Sequence, residues 1–140
     1  GNLMERFTYQ RRIEYSDTDM GGIVHFSRFF VFMENAEHEF LRARGTNIDR
    51  TVDDVRISWP RVAATCDFKS PARFGDVLQI NVRIVRRGVK SMTYGFEFWR
   101  EDTLLAQGKT TSVCCAMHPD RSPEPIEIPD WFVQAIASDA

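Results

Sequence analysis

The chain has 140 residues, 43% hydrophobic and 27% charged, the balance of an ordinary globular protein long enough to bury a core without covalent staples. With 18 basic against 20 acidic residues its formal charge is -2, which excludes a strong basic field and with it nucleic acid as a main partner. No apolar run approaches the ~20 residues of a membrane helix, and three cysteines, two of them adjacent at 114 and 115, form neither a disulfide framework nor a zinc ligand set.

The thiols are therefore expected to be reduced and structural, in a cytoplasmic protein. Gly-Asn-Leu before Met4 is set aside, so one domain is expected over 4–140. Residues 6–15, RFTYQRRIEY, place Phe7, Tyr9, Ile13 and Tyr15 in alternation and predict a strand. The stretch YSDTDMGGIVHF follows, with Asp17 and Asp19 two apart, the Gly21-Gly22 pair and His25. Residues 27–44 predict the one long helix. Its apolar positions Phe26, Phe29, Phe30, Met33, Ala36, Phe40 and Leu41 keep helical spacing, Val31 and Phe32 widen the stripe, and Gly45 supplies the stop.

Beyond the helix the period changes to two. Residues 55–68 predict an extended segment with Pro60 at an edge or bulge, 71–76 a turn, 77–85 and 92–99 two alternating strands, and 104–117 the last strand. Pro119, Pro123, Pro125 and Pro129 mark an extended run before a short terminal helix, DWFVQAIA. The order is strand, long apolar helix, then about four antiparallel strands. This is an α+β chain in which one curved sheet wraps one helix.

The stretch YSDTDMGGIVHFSRFFVFMENAEHEFLRARG resembles the acyl-CoA thioesterases of the hotdog fold. More narrowly it is similar to the 4-hydroxybenzoyl-CoA thioesterase family and its relatives associated with the Tol-Pal cluster. Asp17, Asp19, Gly22, Ile23, Val24, Glu34, Ala36 and Glu39 fall on the family pattern, and RRGVKSMTYGFEFWRE resembles its basic hairpin and following strand. Phe29 stands where the family usually has tyrosine. Phe26 stands where many relatives have histidine, and here the histidine is His25.

The resemblance implies hydrolysis of an acyl-CoA thioester, with coenzyme A as part of the substrate, no cofactor and no metal. An acyl carrier protein thioester is an alternative substrate. It also implies a homodimer or homotetramer with the site at the subunit boundary. The reaction needs an oxygen nucleophile and donors for the charge on the carbonyl oxygen. The resemblance puts the carboxylate on Asp19, as nucleophile or as base on water, while spacing alone also allows a helix cap or turn brace.

A helix start offers unpaired amides, here those of His25 and Phe26, and Gly22 lets a substrate approach closely. Asp17 reads as a turn residue. A metal-binding DxD lacks further ligands. The His25 imidazole could orient substrate, carry a proton or pack at the helix start. Glu34 is a reserve carboxylate. Arg86, Arg87 and Lys90 bracket a hairpin tip suited to coenzyme A phosphates or simply solvated, with Lys69 and Arg73 as weaker candidates. Two other readings remain open, an enoyl-CoA hydratase or dehydratase, whose GD-x-N-P-x-H pattern is missing, and a non-catalytic acyl-thioester-binding protein.

Overall fold

The computed structural model describes residues 7–137. A long helix α1 (Phe26–Ala43) lies against a five-stranded antiparallel sheet whose order is β1 (Phe7–Arg12), β5 (Val77–Arg87), β6 (Ser91–Arg100), β7 (Thr103–Val113) and β4 (Arg61–Phe68). A second, four-stranded sheet runs β2 (Asp49–Val52), β3 (Val55–Ser58), β8 (Cys115–His118) and β9 (Arg121–Pro125), and α2 (Asp130–Ala137) ends the described chain. The curved sheet around one central helix is the hotdog arrangement expected from the sequence.

Alternation decides which face of the large sheet meets α1. Leu78, Ile80 and Val82 of β5 and Met92, Tyr94, Phe96 and Phe98 of β6 are buried, while Gln79, Asn81 and Arg83 point away. From α1, Phe29, Phe32, Met33, Ala36, Phe40 and Leu41 bury against them. Phe32 is fully buried and Phe26, counted in the apolar stripe, is 61% exposed. Packing is tight at Gly108, where an added Cβ would overlap the Met33 sulfur and stand 3.0 Å from the Thr65 carbonyl. Met33 could shift but the strand backbone could not. Gly108→Ala is expected to cost about 1–3 kcal/mol of stability, read in chemical denaturation, because overpacking a filled core forces strain.

Two expected elements divide. The 55–68 segment breaks at Trp59-Pro60, with β3 in the small sheet and β4 at an edge of the large one; Pro60 has no amide to continue either ladder, and its carbonyl accepts from Val113 N–H at 3.0 Å. The 104–117 strand breaks at Cys114, whose amide turns to the Lys90 carbonyl at 2.7 Å. Strand β2 was not expected, and part of the expected extended run pairs with β8 as β9. The three cysteines are free. Burial, with neighbouring Asp67 and Cys115 respectively, pushes Cys66 and Cys114 up to about 11, so neither offers a thiolate near neutral pH.

Candidate active site

The segment between β1 and α1 is held by a buried carboxylate. Asp17 is 0% exposed. It accepts from Glu14 N–H at 2.8 Å, from Arg28 Nε and Nη2 at 2.9 Å, and lies 3.3 Å from Arg11 Nη2. Burial alone would raise its pKa, but the Glu14 amide and the two guanidinium groups outweigh this and hold it below its ordinary value of 3.8. Asp17 thus ties the end of β1 to the first turn of α1. This is the structural role read from the sequence.

Asp19 sits on the loop that this anchor fixes. Its amide donates to the Ile23 carbonyl and its carbonyl accepts from Gly22, each at 3.0 Å; Oδ1 accepts from Gly21 N–H at 2.8 Å. Gly22, at φ +78°, takes the left-handed conformation that closes the turn without strain. An added Cβ at Gly21 would stand 3.1 Å from Asp19 Oδ1. Asp19 Oδ2 has no partner among the described residues, and the side chain is exposed.

The helix start corrects one expectation. The His25 amide already donates to the Asp17 carbonyl at 2.9 Å and is not available to a ligand. The Phe26 amide, first in α1, makes no hydrogen bond among the described residues. One donor of the expected pair therefore remains. The His25 imidazole caps α1, with Nδ1 accepting from Ser27 N–H at 3.2 Å and lying 2.8 Å from Ser27 Oγ, and its ring lies against Phe26.

Asp19 and Phe26 border one cleft of about 490 Å³, lined also by Ile23, Phe29, Phe68 and Lys69. The segment after β4 forms a wall: the amides of Lys69 and Ser70 share the Leu105 carbonyl, and Val24 N–H donates to Ala72 at 2.8 Å. Phe29 forms the floor, edge-on to Phe68 at 5.3 Å and to Phe98 at 5.2 Å. At Phe29, where the resemblance led to the expectation of a tyrosine hydroxyl, there is a closed aromatic contact. His25 does not line this cleft.

The basic hairpin lies elsewhere. Arg12 at the end of β1 pairs with Val77 at the start of β5, so Asp19 is at that end of the sheet, and Arg86, Arg87 and Lys90 are at the other. Eleven residues of strand separate the two ends, roughly 30 Å at strand rise. A tip beside its own chain's site is not what the structure has; Lys69, ranked below the tip on sequence, is the cation at the cleft. Glu34 is also remote, on the α1 face that meets Arg61, with Arg61 Nη2 at 3.6 Å.

Comparison with known proteins decides the family. Residues 13–136 match the model of the thioesterase-like superfamily. The chain belongs to that superfamily. This thioesterase is 30% identical over 128 residues to a 1,4-dihydroxy-2-naphthoyl-CoA hydrolase of Synechocystis, covering 90% of this chain and 92% of the relative. It superposes on the crystal structure of a Synechocystis 1,4-dihydroxy-2-naphthoyl-CoA thioesterase with a TM-score of 0.81 and 27% identity, over 96% of this chain and 98% of that one. A gentisyl-coenzyme A thioesterase gives 0.80 and 28%, over 93% and 99%. The thioesterase has no helix, among the described residues, long and apolar enough to cross a membrane.

In this thioesterase the His25 ring caps α1 through Ser27 and touches the cleft only through its contact with Phe26. His25→Ala is expected to lower stability by about 1 kcal/mol, as loss of a cap does, and kcat by less than ~10-fold. A proton-transfer role would cost ~100-fold or more. Chemical denaturation and a pH–rate profile together separate the two.

Proposed function

We propose that the chain hydrolyses acyl-CoA thioesters in the cleft bordered by Asp19 and Phe26. The observation that carries the reading is the meeting, at one cleft, of an unpaired carboxylate oxygen and an unpaired helix-start amide. Hydrolysis of coenzyme A thioesters agrees with the family and with the names of its relatives.

In this reading the thioester carbonyl oxygen points at the Phe26 N–H, at the positive end of α1. Asp19 Oδ2 takes a proton from a water as that water attacks the carbonyl carbon, or attacks the carbon itself to form an anhydride that water then opens. Either way the C–S bond breaks, coenzyme A leaves as its thiolate, and the acid is released. Phe26, Phe29 and Phe68 make the acyl end apolar and aromatic, while Lys69 sits where the coenzyme's negative charge would pass. No cofactor is required by these steps. Assay of thiol release over a panel of acyl-CoAs tests the reading. Absence of release from every member, with hydration of an enoyl-CoA instead, would move the protein to the hydratase class.

The proposal includes a dimer formed through β4, whose outer edge has no strand partner among the described residues. Such edges invite pairing, and a two-fold axis closes it. Antiparallel pairing of two copies would set the tip end of one sheet beside the Asp19 end of the other, and only so can Arg86, Arg87 and Lys90 serve a bound coenzyme. Arg86→Ala with Arg87→Ala is then expected to raise KM by ~10-fold with little change in kcat, and less so in high salt. Steady-state kinetics at two ionic strengths checks this.

A further inference from the structure

The structure assigns a role to Arg61 that rests on the hydrolase reading above: we infer that this guanidinium completes the cleft of a second copy of the chain, not its own. Arg61 opens β4, and Phe68, which closes it, belongs to the cleft wall. The ends of the strand lie roughly 20 Å apart at strand rise, so Arg61 is out of reach of its own Asp19. The register shift between Arg61 and Ala63 matters here. Without it, residues 61 and 68 would face opposite sides of the sheet; with it, Arg61 opposes Ser112 and Phe68 opposes Ala106, both on the side of α1.

The edge between them is built for a like partner. Val62 is 61% exposed, Ala63, Ala64 and Thr65 are exposed, and Asp67 is the one charge between the two ends. A long apolar edge of this kind is a template for another strand. The occupant that covers this edge on both partners at once, in a closed pair, is a second copy in antiparallel, two-fold pairing; the β1 edges stay at the two ends of the joined sheet. In that arrangement the Arg61 end of each strand lies against the Phe68 end of the other, on the face that carries the cleft.

The side chain is prepared for this position. Glu37, 2% exposed, accepts from Arg61 Nη1 at 2.8 Å; Ser112 Oγ lies 3.4 Å away and Glu34 Oε2 3.6 Å from Nη2. Arg61 Nε has no partner among the described residues, and the side chain remains 26% exposed. The two carboxylates hold the guanidinium extended along the helix face, with a donor edge left for a ligand. A substrate that enters the cleft as a polyanionic thioester would meet Lys69 from one chain and Arg61 from the other.

Mixing of variants tests the inference. Asp19→Asn and Arg61→Met are each expected to be poor enzymes, the second by ~10-fold or more in kcat/KM with benzoyl-CoA or hexanoyl-CoA, whichever the parent hydrolyses faster. Unfolded together and refolded, they should form mixed dimers with one site that has both Asp19 and a facing Arg61. Random pairing of two-fold dimers then returns about a quarter of the parent activity.

A residue acting in its own chain, or one that only steadies Glu37, gives no such recovery. If Arg61→Met fails to fold because Glu37 is left buried and unpaired, Arg61→Met with Glu37→Gln takes its place in the mixture. A parent that hydrolyses thioesters but shows no recovery on mixing, a monomeric mass, or parent-like kcat/KM in the Arg61 variant would each overturn the inference alone. A parent that releases no thiol would overturn the hydrolase reading itself.

Discussion

Asp19→Asn is expected to lower kcat by at least ~1,000-fold, about 4 kcal/mol of transition-state stabilisation, while the protein stays folded. The amide keeps the size of the side chain and an oxygen to accept the 2.8 Å bond from Gly21 N–H, so the loop has no reason to rearrange. What disappears is the negative charge at the oxygen that faces no protein donor. A neutral amide can neither remove a proton from water nor attack a carbonyl. The Phe26 amide and the aromatic cleft remain, so KM should change little and residual activity should persist above the uncatalysed rate. Single-turnover measurement with the best acyl-CoA, beside thermal unfolding of both proteins, checks the two halves of the claim. Parent-level turnover in a folded Asp19→Asn protein would remove the carboxylate from the mechanism.

The second large effect is on folding. Asp17→Ala is expected to destabilise by about 2–4 kcal/mol, toward the lower part of the range for breaking a buried ion pair because Arg11 and Arg28 keep partial contact with water. The loss includes the Glu14 amide as well as the two guanidinium groups. The pH dependence follows from the direction of the shift. The folded carboxyl is held below its ordinary value of 3.8, so Asp17 contributes fully above that value. The contribution is lost as pH falls through the depressed folded value. Denaturant midpoints of the parent and of Asp17→Ala should therefore differ most above about pH 5 and converge in strong acid. A constant gap down to pH 2 would mean that the charge of Asp17 contributes nothing.

The comparison of these two aspartates shows how far the sequence could be read. Periodicity placed α1 within a residue at each end and located the strands that meet it, because a helix or strand with one buried face carries that face in its spacing. The DxD pair and the glycines could be placed at a helix start for the same reason. Spacing could not say that the His25 amide is already occupied, since its acceptor is a main-chain carbonyl, and main-chain geometry leaves no residue-type signature. The breaks at Trp59-Pro60 and Cys114 divide what looks like continuous alternation between two sheets. Pro60 was a signal for the first; nothing in residue type marks the second. The tip was legible as a basic turn, but its distance from Asp19 is a property of strand length and order. Glu37 and Arg61 were missed as a pair because they lie 24 residues apart and meet only across the helix–sheet contact.

The residues that flank β8 and β9 do more than connect elements. Cys114 N–H holds the Lys90 carbonyl, and Ile128 N–H holds the Val89 carbonyl at 2.9 Å, so the backbone of the basic turn is fixed from two directions. Ordering a loop on binding would cost about 1–2 kcal/mol per residue in backbone entropy; here that ordering accompanies folding. In the proposed dimer, a polyanion at Arg86, Arg87 and Lys90 would have to restrain side chains alone, and its hold would be correspondingly tighter for the same contacts. Under that proposal, affinity at the turn would depend on the segment that braces its backbone, and loosening Ile126–Ile128 would weaken it without touching a single charge.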